Sequence, residues 1–288
     1  MQNGQNPRLK NFFTKEGIEI PLFTFPLLEE TGIVRHGFTT RLGGVSEGIF
    51  STMNLSFSRG DKKEAVEENY RRLAEALSVE PDSFVCSRQT HTTNVIRVGR
   101  EDITGCGISS AAAENAREEK YQDVDGMVTN EPGVTLITFY ADCVPLYFVD
   151  SVHHAIGLSH SGWKGTAARM GKVTLEKMKR EFSTDPKDVI CAIGPSICKN
   201  CYEISEDVAV VFQKEFAGRE DEILADKGEG KYLLDLWKAN EIVLTEAGVT
   251  LSHLTVTEVC TCCNAELLFS HRASKGKRGN LAAVLALK

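Results

Sequence analysis

Val134-Thr-Leu-Ile-Thr-Phe139, Val144-Pro-Leu-Tyr-Phe-Val149 and Ala155-Ile-Gly-Leu158 are three apolar runs in close succession, preceded by a turn at Asp125-Gly126. A strand with one wet face alternates apolar and polar positions, so uninterrupted runs of this kind read as strands buried on both faces. Three in a row predict the heart of one sheet. The third continues into Ser159-His160-Ser161-Gly162-Trp163-Lys164-Gly165-Thr166, after which Ala168, Leu175, Met178 and Phe182 lay an apolar stripe along a helix. Strand, glycine-bearing loop and helix in that order belong to an α/β protein.

Upstream, Gly32 to Thr40 is β-rich and leads into the loop Arg41 to Gly48, whose glycines permit tight turns and close approach of a ligand. Asp61, with Glu64 three residues on, predicts the cap of a helix whose buried face is Val66, Tyr70, Leu73 and Leu77. Asn94 to Val98 has strand character, and Gly105 to Lys120, rich in small residues and then charged, reads as a surface insertion. Downstream come a strand at Val189 to Ile193, helices near Glu206 to Phe216 and Leu236 to Ala247, and strands near Leu254 and Ala282. Without an internal repeat or a linker, the expectation is a flexible tail at 1–10 and a single domain over 11–288.

The 288 residues carry a formal charge of −7. That balance argues against nucleic acid as a partner, because phosphate backbones are held by dense Lys/Arg surfaces. The longest apolar stretch, Val134 to Val149, is broken by Asp142 and Pro145, so no segment offers the ~20 apolar residues of a membrane span. Met1 to Lys10 is polar and lacks the apolar core of an export signal. The expected compartment is the cytoplasm, with no membrane partner. Nine cysteines in that setting are expected as thiols or metal ligands, not as a disulfide framework.

Three soft or borderline ligands stand at or beside strand ends: His91 in Arg-Gln-Thr-His, Cys143 in Tyr-Ala-Asp-Cys, and His160 in Leu-Ser-His-Ser-Gly-Trp. A His/Cys/His set suits zinc, with copper as the alternative, and leaves a coordination position open for water or substrate. Structural zinc sites place ligands two to four residues apart, whereas these are far apart in sequence, and each residue singly also reads as packing. A second set, Cys198-x-x-Cys201 with Cys260-x-Cys262-Cys263, has the spacing of a structural zinc cluster. The wide gap between its halves and the lack of partner histidines favour free thiols there.

Several words occur in order: Arg35 to Ser46 (Arg-His-Gly-Phe-Thr-Thr-Arg-Leu-Gly-Gly-Val-Ser), Gln89-Thr90-His91, Asp123-Val124-Asp125-Gly126, and Ala141-Asp142-Cys143-Val144-Pro145. They continue with His160 to Thr166, Gly194-Pro195-Ser196-Ile197-Cys198, Cys201-Tyr202-Glu203 and Phe269-Ser270-His271-Arg272. This series resembles the YfiH-type laccase-domain family, also called peptidoglycan editing factor and multi-substrate purine nucleoside phosphorylase, over nearly the whole chain after residue 30. The resemblance implies an α/β fold, a YfiH-like layered sandwich of mixed sheets flanked by helices, with His91, Cys143 and His160 as ligands of one catalytic metal.

It further implies phosphorolysis of adenosine, inosine, guanosine and methylthioadenosine, with inorganic phosphate as co-substrate, and hydrolytic deamination of adenosine to inosine. Zinc lowers the pKa of water from near 16 toward ~7, which suits attack at an electron-poor purine C6. Asp142 is a candidate for moving protons or orienting a ligand. Arg41, Lys164 and Arg272, the last with Lys275, Lys277 and Arg278, are candidates for the phosphate. Asn54 is a candidate for substrate binding or for holding its loop, and Trp163 for stacking on the purine. His271 stands where the family usually has Tyr, and Arg278-Gly279 only loosely matches its Gly-Arg word. Three other readings stay open: a cysteine amidase or deamidase using Cys143 and His160, a copper-dependent phenol oxidase, and a cytoplasmic factor that edits peptidoglycan precursors. The chain has seven histidines and no His-x-His pair, which argues against a multicopper cluster.

Overall fold

The structure is a computed structural model that describes residues 7–103 and 119–288. Most of the stretch read as a surface insertion lies outside the described residues. One sheet has the order β1 (Arg8–Phe13), β2 (Glu19–Thr24), β3 (Val34–Thr39), β15 (Leu281–Leu287), β7 (Thr135–Tyr140), β4 (Phe84–Val85). A second has the order β14 (Leu254–Val256), β10 (Val189–Ile193), β8 (Val144–Asp150), β9 (Ala155–Ser161), β6 (Gly126–Thr129), β5 (Val95–Arg97). A small third sheet orders β11 (Glu203–Ser205), β13 (Lys231–Leu234) and β12 (Leu224–Gly228). Among the described residues the α-helices are α1 (Pro26–Glu30), α2 (Lys63–Leu77), α3 (Trp163–Ala167), α4 (Met170–Phe182), α5 (Glu206–Glu215), α6 (Glu220–Ile223), α7 (Leu236–Glu246) and α8 (His271–Ser274).

The two large sheets stack face to face. Phe38, Leu136 and Leu285 of the first share a buried cluster with Tyr147, Val149 and Leu158 of the second. Because successive strand residues point to opposite faces, the neighbours Ile137, Ala282 and Val284 pack outward against Val66, Tyr70 and Leu73 of α2. On the far side, Leu146, Phe148, Cys191 and Ile193 meet Leu175 and Met178 of α4 and Ile242 and Val243 of α7. The layers therefore run helix, sheet, sheet, helix. The fold is α/β with layered mixed sheets: most pairs are antiparallel, but β4 with β7, β5 with β6 and β10 with β14 are parallel.

The three apolar runs are strands buried on both faces, but they do not share one sheet. β7 lies in the first sheet and β8 and β9 in the second, the chain crossing between them at Ala141–Cys143, where Asp142 has φ 91°. Apolar runs report burial on both faces, and a stack of two sheets between helices buries its strands as fully as one central sheet does. The helix after His160 is also broken: Arg169 takes φ 60° between α3 and α4, and Ala168 is exposed. Asp61 does not cap α2, whose N-cap is Lys62; its carboxylate instead receives the Lys62 and Asn54 N–H groups. β1 begins at Arg8, so three residues of the stretch expected as a tail pair with β2. Cys86 is disulfide-bonded, where the cysteines were expected as thiols or metal ligands. Among the described residues no helix is long and apolar enough to cross a membrane.

One buried base couples this core to pH. His36, on β3, accepts the Phe25 N–H at Nε2 (2.9 Å) and stacks on the Phe25 ring. Burial pushes its pKa down to about 4, against a smaller upward pull from Glu29. As pH falls, the unfolded chain takes a proton at His36 near 6.5, whereas the folded chain resists until about 4. The unfolded state thus binds more protons in that window, and stability falls by up to about 3 kcal/mol across it. His36→Gln keeps an acceptor and cannot titrate. Its melting temperature will drop less than the wild type's between about pH 7 and about pH 5, by a few degrees; equal drops would refute the assignment.

Candidate metal centre

Strand register gathers the site. In the antiparallel β8 and β9 pair, Pro145 faces His160 and Val144 faces Ser161, so Cys143, entering β8, lies beside His160, leaving β9. β6 pairs on the other side of β9, with Gly126 facing Ser159, which brings Asp125 against His160. The His160 N–H donates to the Asp125 carbonyl (2.7 Å). His91 comes from the loop before β5 with φ 68°. The ligand atoms of His91, Cys143 and His160 all lie within 4.8 Å of one another, and Cys143 Sγ is 3.7 Å from His91 Nε2.

Asp125, fully buried, organises this geometry. One carboxylate oxygen accepts from His160 Nδ1 (2.8 Å) and the His91 N–H (3.0 Å). The other accepts from the N–H groups of Thr90 (3.1 Å) and Thr92 (2.8 Å). The bond to Nδ1 leaves Nε2 as the His160 nitrogen free to ligate, the carboxylate–histidine arrangement common behind metal ligands. Burial would raise the Asp125 carboxyl, but the His160 imidazole and the N–H donors hold it below the usual carboxylate range. Burial likewise raises the Cys143 thiol, yet the charge and hydrogen bond of His160 and the hydrogen bond of His91 bring it to about 6. His160 is pushed down by burial but carried up to about 9 by Cys143 and Asp125. A thiolate beside two imidazoles is the donor set of zinc or copper.

The centre opens on a cleft of about 250 Å³, lined by His91, Asp142 and Cys143 together with Trp163, Lys164, Ile197, Tyr202 and Leu236. A second cavity, about 110 Å³, is lined by Arg41, Lys277 and Arg278 with Phe269, Ser270, Ser274 and two alanines. Burial, with Arg59 nearby, pushes the Arg278 guanidinium down to about 10, and its Nε is buried without a hydrogen-bond partner.

Residues 35–288 match the model of a family described as "Multi-copper polyphenol oxidoreductase laccase". The chain belongs to this laccase-domain family. It is 35% identical over 248 residues, 86% of this chain and 89% of the relative, to a protein of Bacteroides thetaiotaomicron named "Purine nucleoside phosphorylase". It is 32% identical over 82% of its length to "Adenosine deaminase RL5" from an unknown prokaryotic organism, covering 87% of that protein. The crystal structure of the hypothetical protein YfiH of Bacillus licheniformis superposes with TM-score 0.84 at 30% identity, covering 96% of this chain and 99% of that one.

The residues expected in the laccase-domain site do not all come together. His91, Cys143, Asp142, Lys164 and Trp163 come together around the first cleft, with His160 buried behind it. Asp142 is held at both oxygens, by the Thr261 hydroxyl (2.6 Å) and the Arg272 N–H (2.7 Å). Arg41 lies at the second cavity, its guanidinium donating to the Ser51 and Ala265 carbonyls and stacking on Phe269. Arg272 lines neither cavity; it donates to the Cys201 and Glu203 carbonyls and lies over the Tyr202 ring. Asn54 is buried, bonding Asp61, the Ser56 backbone and the Asn280 N–H, so it ties loops together. Asp125 and Tyr202 were not among the expected site residues, although both fall inside quoted words. The signal available in the sequence was an Asp set directly before a strand inside the quoted word Asp123-Val124-Asp125-Gly126.

Gly162 closes the centre from the helix side. A Cβ there would lie 2.8 Å from His91 Cδ2 and 3.1 Å from Cys143 Sγ. Gly162→Ala will displace a ligand by a few tenths of an ångström or more. Turnover is expected to fall about 10²-fold with little change in melting temperature, readable from kcat/KM beside a thermal melt. Unchanged kcat/KM would mean that the ligands are not constrained there.

Proposed function

We propose that the chain is a metal-dependent purine nucleoside enzyme. It catalyses phosphorolysis of adenosine, inosine, guanosine and methylthioadenosine, and hydrolytic deamination of adenosine to inosine. The observation that carries this reading is the convergence of His91, Cys143 and His160 on an aromatic-walled cleft of about 250 Å³. It is supported by the names of relatives that match most of the chain, a purine nucleoside phosphorylase and an adenosine deaminase. The cytoplasm, where nucleosides and phosphate are both at hand, is the proposed compartment.

The donor set and the space beside it fit zinc, with copper as the alternative. Bound there, the ion would supply Lewis acidity toward an oxygen or ring nitrogen of the substrate. The chain's own residues do the rest. Trp163 and Tyr202 offer faces on which a purine stacks. Lys164, on the cleft wall, supplies positive charge to an anion or to a leaving group that gains charge. Asp125 keeps His160 in the tautomer that presents Nε2. Asp142, fixed by Thr261 and Arg272, holds the cleft edge and offers its carboxylate to a substrate proton. Phosphate is assigned to the side of Arg41, Lys277 and Arg278, where a buried guanidinium Nε lacks a partner.

The same Cys143 and His160, with the thiol proton passed to the neutral imidazole, would also make a nucleophile and its base. Acyl-Cys143 trapped from an amide substrate would favour that reading. A multicopper phenol oxidase needs several histidine-rich centres, and the described residues gather histidines with other ligands at one place. The deciding experiment incubates purified protein with adenosine, with and without phosphate, and assays inosine, adenine and ribose 1-phosphate. Inosine in both mixtures, with adenine and ribose 1-phosphate only with phosphate, is expected. No product from any of the four nucleosides would overturn the proposal.

A further inference from the structure

Away from the His91, Cys143, His160 centre, a second set of soft ligands converges. Cys198 and Cys201 flank a short turn after β10, and Cys260 and Cys263 lie beyond β14. A parallel bridge between Ser196 and Cys260 stitches the two segments together, with the Ser196 N–H donating to Val259 and the Thr261 N–H to Ser196. The ligand atoms of Cys198, Cys201, Cys260 and Cys263 all fall within 4.8 Å of one another. Cys201 Sγ is 3.4 Å from Cys263 Sγ, and Cys198 Sγ is 4.0 Å from Cys263 Sγ. Cys260 Sγ accepts backbone N–H groups from Cys198 (3.3 Å) and Cys263 (3.4 Å).

We infer that these four cysteines bind a structural zinc ion, distinct from the His91, Cys143, His160 centre. Four sulfurs at a Zn–S distance of about 2.3 Å sit about 3.8 Å apart at the corners of a tetrahedron, and both measured pairs lie close to that edge. The sulfurs are too far apart for disulfides, which bring them to about 2.05 Å. Burial does not account for the cluster either, since Cys263 is exposed and Cys198 and Cys201 are half-buried. The N–H groups aimed at Cys260 favour its thiolate form. Four protein thiolates leave no open position, so the ion's role is architectural. It pins together the segment bearing Ile197 and Tyr202 of the cleft and the segment leading to Ala265 and Phe269 of the second cavity. The gap that favoured free thiols on sequence grounds is closed by the bridge between the neighbouring chain segments.

The test uses full-length protein purified under reducing conditions and measures metal content and zinc-edge X-ray absorption. The double variant His91→Ala, Cys143→Ala keeps only the second site. It is expected to retain about one zinc per chain, with four sulfur neighbours at about 2.3 Å. In the complementary variant Cys201→Ser, Cys263→Ser that zinc is lost, while zinc with mixed nitrogen and sulfur neighbours stays at the first centre. Should either variant fail to accumulate, wild-type protein titrated with a mercurial in the presence of a chromogenic chelator is expected to release two zinc ions per chain, one from the cluster thiols and one from the Cys143 centre. A first-site double variant free of zinc, a nitrogen- or oxygen-containing shell in that variant, iron in place of zinc, or wild-type protein releasing no more than one zinc per chain to the mercurial would overturn the inference.

Discussion

Cys143→Ser will reduce purine nucleoside turnover about 10³-fold or more and empty the first metal centre, while leaving the fold intact. The serine hydroxyl is no thiolate, and the Cys143 thiol, brought to about 6 by its two histidine neighbours despite burial, is the one anionic donor of the set. Removing it leaves two imidazoles, too few for a tight tetrahedral site. Lewis-acid stabilisation amounts to several kcal/mol, and each 1.4 kcal/mol is about tenfold in rate. The side chain is half-buried and packs only at the rim of the inter-sheet core, so the melting temperature of the metal-free protein should hardly move. Metal content, kcat/KM and a thermal melt on the same preparation check all three parts. Near-normal turnover with the centre empty would remove the metal from the chemistry. A dead variant that still binds its metal would point to Cys143 as nucleophile.

Asp125→Asn will be damaging in a different way. Its carboxylate receives three backbone N–H groups, the Thr92 hydroxyl and His160 Nδ1. An amide nitrogen in place of one oxygen sets donor against donor inside a dry pocket. The imidazole of His160 then loses the acceptor that fixes its tautomer. Metal affinity and turnover are expected to fall 10- to 100-fold, and the melting temperature by several degrees. Metal titration and kcat separate the two consequences. An unaltered affinity would show that His160 is oriented by its packing against Tyr140 alone.

Much of this was legible in the chain itself, for identifiable reasons. Apolar runs report burial directly, so β7, β8 and β9 stand where Val134 to Leu158 places them, and the three proposed metal ligands sit at the ends of those strands or on the loop facing them. Sheet membership was not legible, because a strand between two sheets is as apolar as one between a sheet and a helix. The break at Arg169 was hidden because α3 and α4 keep nearly continuous helical spacing, and a left-handed arginine carries no composition signal. Asp125 escaped notice because a carboxylate before a glycine reads as a turn, and its work is done by backbone N–H groups from a loop more than thirty residues away in sequence. The setting of Arg272 was hidden for the opposite reason: a cation in a basic stretch suggests phosphate, and nothing in the sequence shows that its guanidinium also donates to the Cys201 and Glu203 carbonyls.

The central claim is that adenosine reacts at a metal held by His91, Cys143 and His160. The most direct measurement follows adenosine consumption by one preparation before chelation, after chelation and after zinc is returned, with His91→Ala treated in parallel. The account predicts that consumption falls to background on chelation, recovers with zinc in the wild type, and stays at background in His91→Ala throughout. Undiminished consumption by the metal-stripped protein, or by His91→Ala, would contradict it.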